Sequence, residues 1–324
     1  MTDSEREIPK QLQPDPRKYS FDLVTALNSV VSLQSFVPRD ALTANTLGME
    51  RSGSGVVIRE SGLIVTIGYL ITEAETIWIN TNDGRAVAGH ALAFDQETGF
   101  GLVQALGKLD LPALEIGDSD QLQIGDRCIL AAGGGIRHAL ENKLVARQEF
   151  AGYWEYALDE AFYTAPPHPF WGGTGLIGKN GRLLGIGSLI IQQNGDAGSQ
   201  SDMNMVVPID LLHPILSDIL NHGRVNRSAR PWLGMYAVEN EEDILVGGLA
   251  DRGPAERAGV QIGDSIIAVE GEEVTDIGEL WRRVWSSGQA GAPVRLSLAR
   301  DGTVFEITIA SADRASFLKT PKLH

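Results

Sequence analysis

The sequence predicts a mainly β protein made of two consecutive globular units. Glycine supplies 37 of 324 residues, against an average near 7%, and so many glycines between short apolar runs point to tight turns joining strands. Those runs recur at roughly 8–12-residue spacing through the first two thirds of the chain, the pattern of a sandwich or barrel. One helical stretch and a polar connector then precede a smaller unit of mixed α and β character.

Residues 1–18 are polar and carry Pro9, Pro14 and Pro16, which predicts a flexible tail. Residues 20–32 predict a short helix leading into a strand. Two apolar runs flank Glu60-Ser61-Gly62, and two more flank Asn82-Asp83-Gly84, where Asp-Gly supplies the positive φ of a hairpin turn. FGLVQAL, DRCILAAGGG, RLLGIGSLII and MNMVVPID continue the series. Apolar residues at Leu211, Leu212, Ile215, Leu216, Ile219 and Leu220 follow a helical period that Gly223 can stop. GRVNRSARP reads as a linker. The unit beyond it is acidic, with 8 Lys/Arg against 15 Asp/Glu over 229–314.

The net charge of −15 disfavours nucleic acid and anionic membrane surfaces as partners. One cysteine allows no intramolecular disulfide. No run approaches 18 apolar residues, so no membrane-spanning helix is expected. The polar, acidic start has no apolar signal region, which points to a cytoplasmic chain. No HExxH zinc motif and no GxxxxGK[ST] phosphate loop occurs, and no cofactor is expected.

The order of motifs resembles the HtrA-like proteases, in which a trypsin-fold double β-barrel precedes a PDZ domain. The resemblance rests on RKYSFDLV, GSGVVI followed by GLIVT, TNDGRAVAGHALAFDQETG, LPALEIGDSDQLQIGD, NGRLLGIGS with NMVVPID, and GLADRGPAERAGVQIGDSIIAVEGEEV. It implies a tail over 1–18, a double barrel over 19–222, a linker over 223–229, a PDZ domain over 230–314 and a C-terminal tail over 315–324. It also implies a homotrimer, with Tyr19 and Phe21 where the family buries aromatic side chains between subunits.

PDZ domains bind an extended peptide as an added strand and capture its terminal carboxylate on backbone amides. Trp232-Leu233-Gly234-Met235 stands where the family carries the carboxylate loop, and Gly234 has the freedom to turn amides inward. Leu233 and Met235 are expected to line an apolar pocket, with Trp281 on the helix walling the groove. Trp281 and Trp285, four residues apart on that helix, could equally pack in the core or form an interdomain contact. The acidic residues Glu239, Glu241, Glu242 and Asp243 favour basic residues upstream in a ligand. The expected partners are therefore peptides or protein C-termini, together with an active HtrA-like relative that the chain would regulate.

Hydrolysis in a trypsin fold needs histidine, aspartate and serine. Aligned through their flanking residues, the family's positions hold Tyr69 in IVTIGYLI, Gly99 in DQETGFGLV and Gly172 in HPFWGGTGL. A phenol of pKa about 10 is too weak a base at neutral pH, and glycine supplies neither carboxylate nor nucleophile. Phe170 and Trp171 are bulky where an oxyanion hole would form. The expectation is a non-enzyme that binds peptides and serves protein quality control. The alternative is an active serine-type endopeptidase with a relocated site. It would draw on Thr174, Ser188 or Cys128 and on His168, the one histidine near the former serine loop. Otherwise Cys128 is a small buried hydrophobe and His168 a surface loop residue beside Pro169.

Overall fold

A computed structural model describes residues 7–194, 200–240 and 243–320; Glu241 and Glu242 lie outside them. By its contacts the chain divides into two units, one of residues 1–148, 160–225 and 320–324, the other of 149–159 and 226–319.

The first unit holds two closed barrels. One is formed by β1 (Val30–Phe36), β2 (Glu50–Arg59), β3 (Leu63–Ile67), β4 (Thr76–Asn80), β5 (Ala86–Phe94) and β6 (Phe100–Ala105), in the order β1-β2-β3-β6-β5-β4. β3 shows why a barrel forms here: LIVTI is buried at all five positions, a β-branched run covered on both faces. Helix α1 (Leu23–Asn28) leads into β1, and Asp22 caps it by accepting the Thr25 N–H. α2 (Ala44–Leu47) is a single turn. Gly84, at φ +86°, makes the β4–β5 turn.

The second barrel comprises β7 (Arg127–Ala131), β8 (Ala139–Gly152), β9 (Tyr156–Ala165), β10 (Gly175–Ile177), β11 (Leu183–Asn194) and β12 (Gln200–Pro208), ordered β10-β11-β12-β9-β8-β7. Leu130, Leu144, Phe162, Leu176 and Val206 fill it and are wholly buried. α3 (His213–His222) follows, and Gly223 ends it in the left-handed conformation at φ +68°.

The second unit is a sheet in the order β13-β14-β15-β17-β18, from β13 (Met235–Glu239), β14 (Ile244–Leu249), β15 (Ser265–Val269), β17 (Pro293–Arg300) and β18 (Thr303–Ala310), with β16 (Glu272–Glu273) paired to β15. Helices α4 (Pro254–Ala258) and α5 (Ile277–Ser286) cover it. α5 buries Ile277, Leu280, Trp281 and Val284 against Leu233, Met235, Leu296 and Leu298. The architecture is mainly β, as expected. No helix among the described residues is long and apolar enough to cross a membrane.

Three details differ from the sequence reading. The tail over 1–18 is anchored from Ile8, which is buried and donates its N–H to the Arg137 carbonyl at 2.9 Å; an apolar residue amid polar ones found cover. The C-terminal tail holds a helical turn at Arg314–Phe317, and Phe317 packs on Trp232 with ring centroids 4.9 Å apart. Third, the outer half of the β8–β9 hairpin, 149–159, belongs by contacts with the second unit rather than with the barrel.

Candidate functional site

The first candidate is a cleft of about 550 Å³ in the barrel unit, lined in part by Ser54, Tyr69, His138, Phe170, Trp171 and Gly172. Tyr69 and Gly172 do meet here. A Cβ on Gly172 would stand 2.7 Å from the Tyr69 hydroxyl. That hydroxyl donates to the Ser188 carbonyl at 2.7 Å, and burial raises the phenol pKa far above its ordinary value. Gly99 adjoins them: its carbonyl accepts the Gly68 N–H at 2.7 Å, and its φ of +83° suits glycine.

Two of the relocated candidates are occupied elsewhere, and Ser188 is buried. Thr174 is buried and donates its hydroxyl to the Trp171 carbonyl at 2.9 Å. Cys128 is buried, bonds Asn142 at 3.0 Å, and has its thiol pKa pushed up to about 12 by desolvation. His168 corrects the surface expectation, being wholly buried. Its Nε2–H faces the His138 carbonyl at 3.0 Å while Nδ1 accepts the Phe170 N–H at 3.0 Å. Desolvation lowers its pKa to about 4, so it stays neutral and shapes the loop. Tyr19 and Phe21 are half-buried, 5.5 Å apart edge to face, and the Phe21 ring lies on the backbone of Gly181.

The second candidate lies beside β13. Gly234 has φ +71°, which turns three successive amides toward one point. They meet a carboxylate: Leu233 N–H at 3.0 Å from Glu155 Oε2, Gly234 N–H at 2.7 Å and Met235 N–H at 3.0 Å from Oε1. Leu233 and Met235 are buried in the core of the unit. Trp232 pairs with Ala312 as an isolated bridge. Trp281 is wholly buried and gives its indole N–H to the Gly152 carbonyl at 2.8 Å. Trp285 is partly buried and stacks under Arg230 at 4.5 Å. Glu155 was missed from sequence. Its pKa rises from 4.5 to about 7 through burial, opposed by the three amides and by Arg314.

Comparison with known proteins fits both units. Residues 53–186 match the trypsin-like peptidase domain and 231–310 the PDZ domain. The chain is 25% identical over 264 residues to a probable periplasmic serine endoprotease DegP-like of Pseudomonas putida, spanning 77% of this chain and 53% of that one. It is 25% identical over 294 residues to the periplasmic pH-dependent serine endoprotease DegQ of Escherichia coli, spanning 85% and 63%. The chain thus spans little more than half the length of the curated relatives it matches. The solved HtrA-type protease AlgW with tripeptide shares the fold at 21% identity and TM-score 0.53, over 95% of this chain and 99% of that one. The serine endoprotease from Yersinia pestis does so at the same identity, TM-score and coverage.

Two expectations are corrected by these relatives. They are named periplasmic, which overturns the cytoplasmic assignment drawn from the polar start. They are named serine endoproteases, which overturns the reading of the chain as a non-enzyme, at identities of 24–27%. A short polar N-terminus and three side chains were too narrow a base for either conclusion.

Proposed function

Because the chain is a homologue of the HtrA/DegP serine proteases, with a trypsin-like peptidase domain followed by a PDZ domain, we propose that it receives the free carboxyl ends of polypeptides in its PDZ groove. One observation carries this reading: the amides of Leu233, Gly234 and Met235 converge on a carboxylate. Amides pre-aimed at an anion bind it without reorganising, and a PDZ-type groove adds strand pairing behind it. The affinity expected is on the order of micromolar, since an extended peptide is ordered on binding. The test is calorimetric titration of the full chain with a peptide bearing a free carboxylate and with its C-terminal amide. The acid should bind at least tenfold more tightly; equal affinity rules out carboxylate reception.

The names of the relatives favour a second reading, peptide-bond hydrolysis in the barrel cleft. Gly172 brings no hydroxyl, so a nucleophile would come from Ser32, Ser52 or Ser54, which line the cleft with His138. His138 directs Nδ1 at the Gly133 carbonyl at 2.8 Å, leaving Nε2 to accept a proton. Turnover of unfolded casein that disappears with His138→Ala supports this reading. Cleavage untouched by His138→Ala and by the three Ser→Ala changes ends it.

Finer roles in protein quality control belong to the same proposal. They include pairing with an active HtrA-type protease and assembly into a homotrimer through Tyr19 and Phe21. Light scattering should give three times the chain mass, falling to a monomer with Tyr19→Ala/Phe21→Ala.

A further inference from the structure

The carboxylate seated in the receptor loop belongs to the chain itself. Glu155 sits at the crest of the β8–β9 hairpin and is 5% exposed. The crest runs antiparallel to β13: Glu155 stands at the loop 233–235, while Tyr153, two residues back, accepts the N–H of Ala237, two residues on, at 2.9 Å. β13 is the outermost strand of its sheet, and an outermost strand has backbone groups to offer an added one. From the other side Trp281 on α5 holds the Gly152 carbonyl. The crest therefore lies between β13 and α5, where an added peptide strand would lie. Further contacts secure it. Tyr153 packs on Tyr236 with centroids 6.1 Å apart, Ala151 packs on the core of the unit, and Glu149 pairs with Arg282. Glu155 itself has φ +57°, a conformation a non-glycine residue keeps only where its surroundings impose it.

We propose that the Gly152–Glu155 crest is a built-in ligand of the PDZ groove, and that an external C-terminal peptide enters only by displacing it. The proposal rests on the loop being a carboxylate receptor. Exclusion follows from stoichiometry. The three amides are each spent on Glu155, and a second carboxylate would find no donor and a neighbouring acid. The ligand class follows as well: a free C-terminus presenting one carboxylate, with an extended backbone whose residue two back pairs with Ala237. The hairpin thus keeps the groove filled until a suitable chain end is present.

The test uses the full chain and one probe, the fluorescein-labelled octapeptide QEFAGYWV, which repeats residues 148–154 and ends in valine with a free carboxylate, beside its C-terminal amide. Fluorescence anisotropy should show Glu155→Ala binding the acid at least tenfold more tightly than wild type. Arg282→Ala loosens the hairpin stem without touching the receptor loop, and it should tighten binding in the same direction by a smaller factor. In wild type, a saturating dose of the acid should shift the Trp281 indole N–H resonance as Gly152 leaves. Equal affinity of wild type and both variants for the acid, with the amide weaker throughout, overturns self-occupation and leaves carboxylate reception standing. Failure of every variant to distinguish acid from amide overturns reception, and the proposal with it.

Discussion

The barrel cleft and the β13 groove are both built on glycine-bearing loops, yet they present opposite surfaces to their space. Around the cleft several polar groups are committed to one another rather than to its space. Tyr69 is spent on Ser188, Thr174 on Trp171, and His168 on His138 and Phe170. In the groove three donors point outward from the backbone and are satisfied by a single side chain. Empty volume alone therefore says little about use. Donors held in place by the fold, and satisfied by something that can leave, say much more.

The sharpest way to break this comparison is Trp281→Ala. It removes a wholly buried indole and should cost about 3–5 kcal/mol, seen as early unfolding of the second unit in urea while the barrel transition stays put. A Trp281→Ala chain as stable as wild type would mean that α5 does not hold the groove.

The pH response comes next. Glu155 has a folded-state pKa of about 7 against 4.5 when solvated, so docking of the crest is fully supported below about pH 4.5 and loses support as pH rises through 7. Arg314 is the cation acting on it. A shift of that size is worth at most about 3 kcal/mol. Wild-type affinity for a C-terminal peptide should then rise by up to about 70-fold between pH 5 and pH 8, and Glu155→Ala should show a flat profile. The reverse trend would mean that the amides, rather than burial, control this carboxyl group.

Two smaller effects probe the cleft. Gly172→Ala places a methyl 2.7 Å from the Tyr69 hydroxyl and should destabilise the barrel by about 1–3 kcal/mol, less so in a Tyr69→Phe background, where the obstructing oxygen is gone. Tyr69→Phe by itself leaves the Ser188 carbonyl without its donor and should cost about 1 kcal/mol. Chemical denaturation of the two single variants and the double reads both effects. Additive costs would mean that the two positions do not touch.

Much of the fold was legible because local signals agreed with it. Asn82-Asp83-Gly84 makes its turn, the period from Leu211 to Leu220 makes α3 with its preceding turn, and Gly223 closes it. The turn over 232–235 was legible as far as Gly234, whose left-handed backbone is a glycine property. Its occupant was not. Glu155 is one of 42 acidic residues, it lies 78 to 80 residues from its partners, and a side-chain carboxylate carries no mark of such a role. The nearest hint was the aromatic run Tyr153-Trp154-Glu155-Tyr156 at a turn, too apolar for a hairpin tip left in water. His168 was misread for a related reason. A proline-flanked loop is ordinarily exposed, and its burial depends on Asn204, a residue 36 positions away that bonds its backbone on both sides.

The continuity of the hairpin with the barrel strands has a consequence in time. A tethered occupant never diffuses away, and a ligand arriving from solution meets a groove that reopens only when the crest lifts. The observed association rate should therefore climb with peptide concentration and then level off at the lifting rate of the crest. Removing Glu155 should restore a linear dependence.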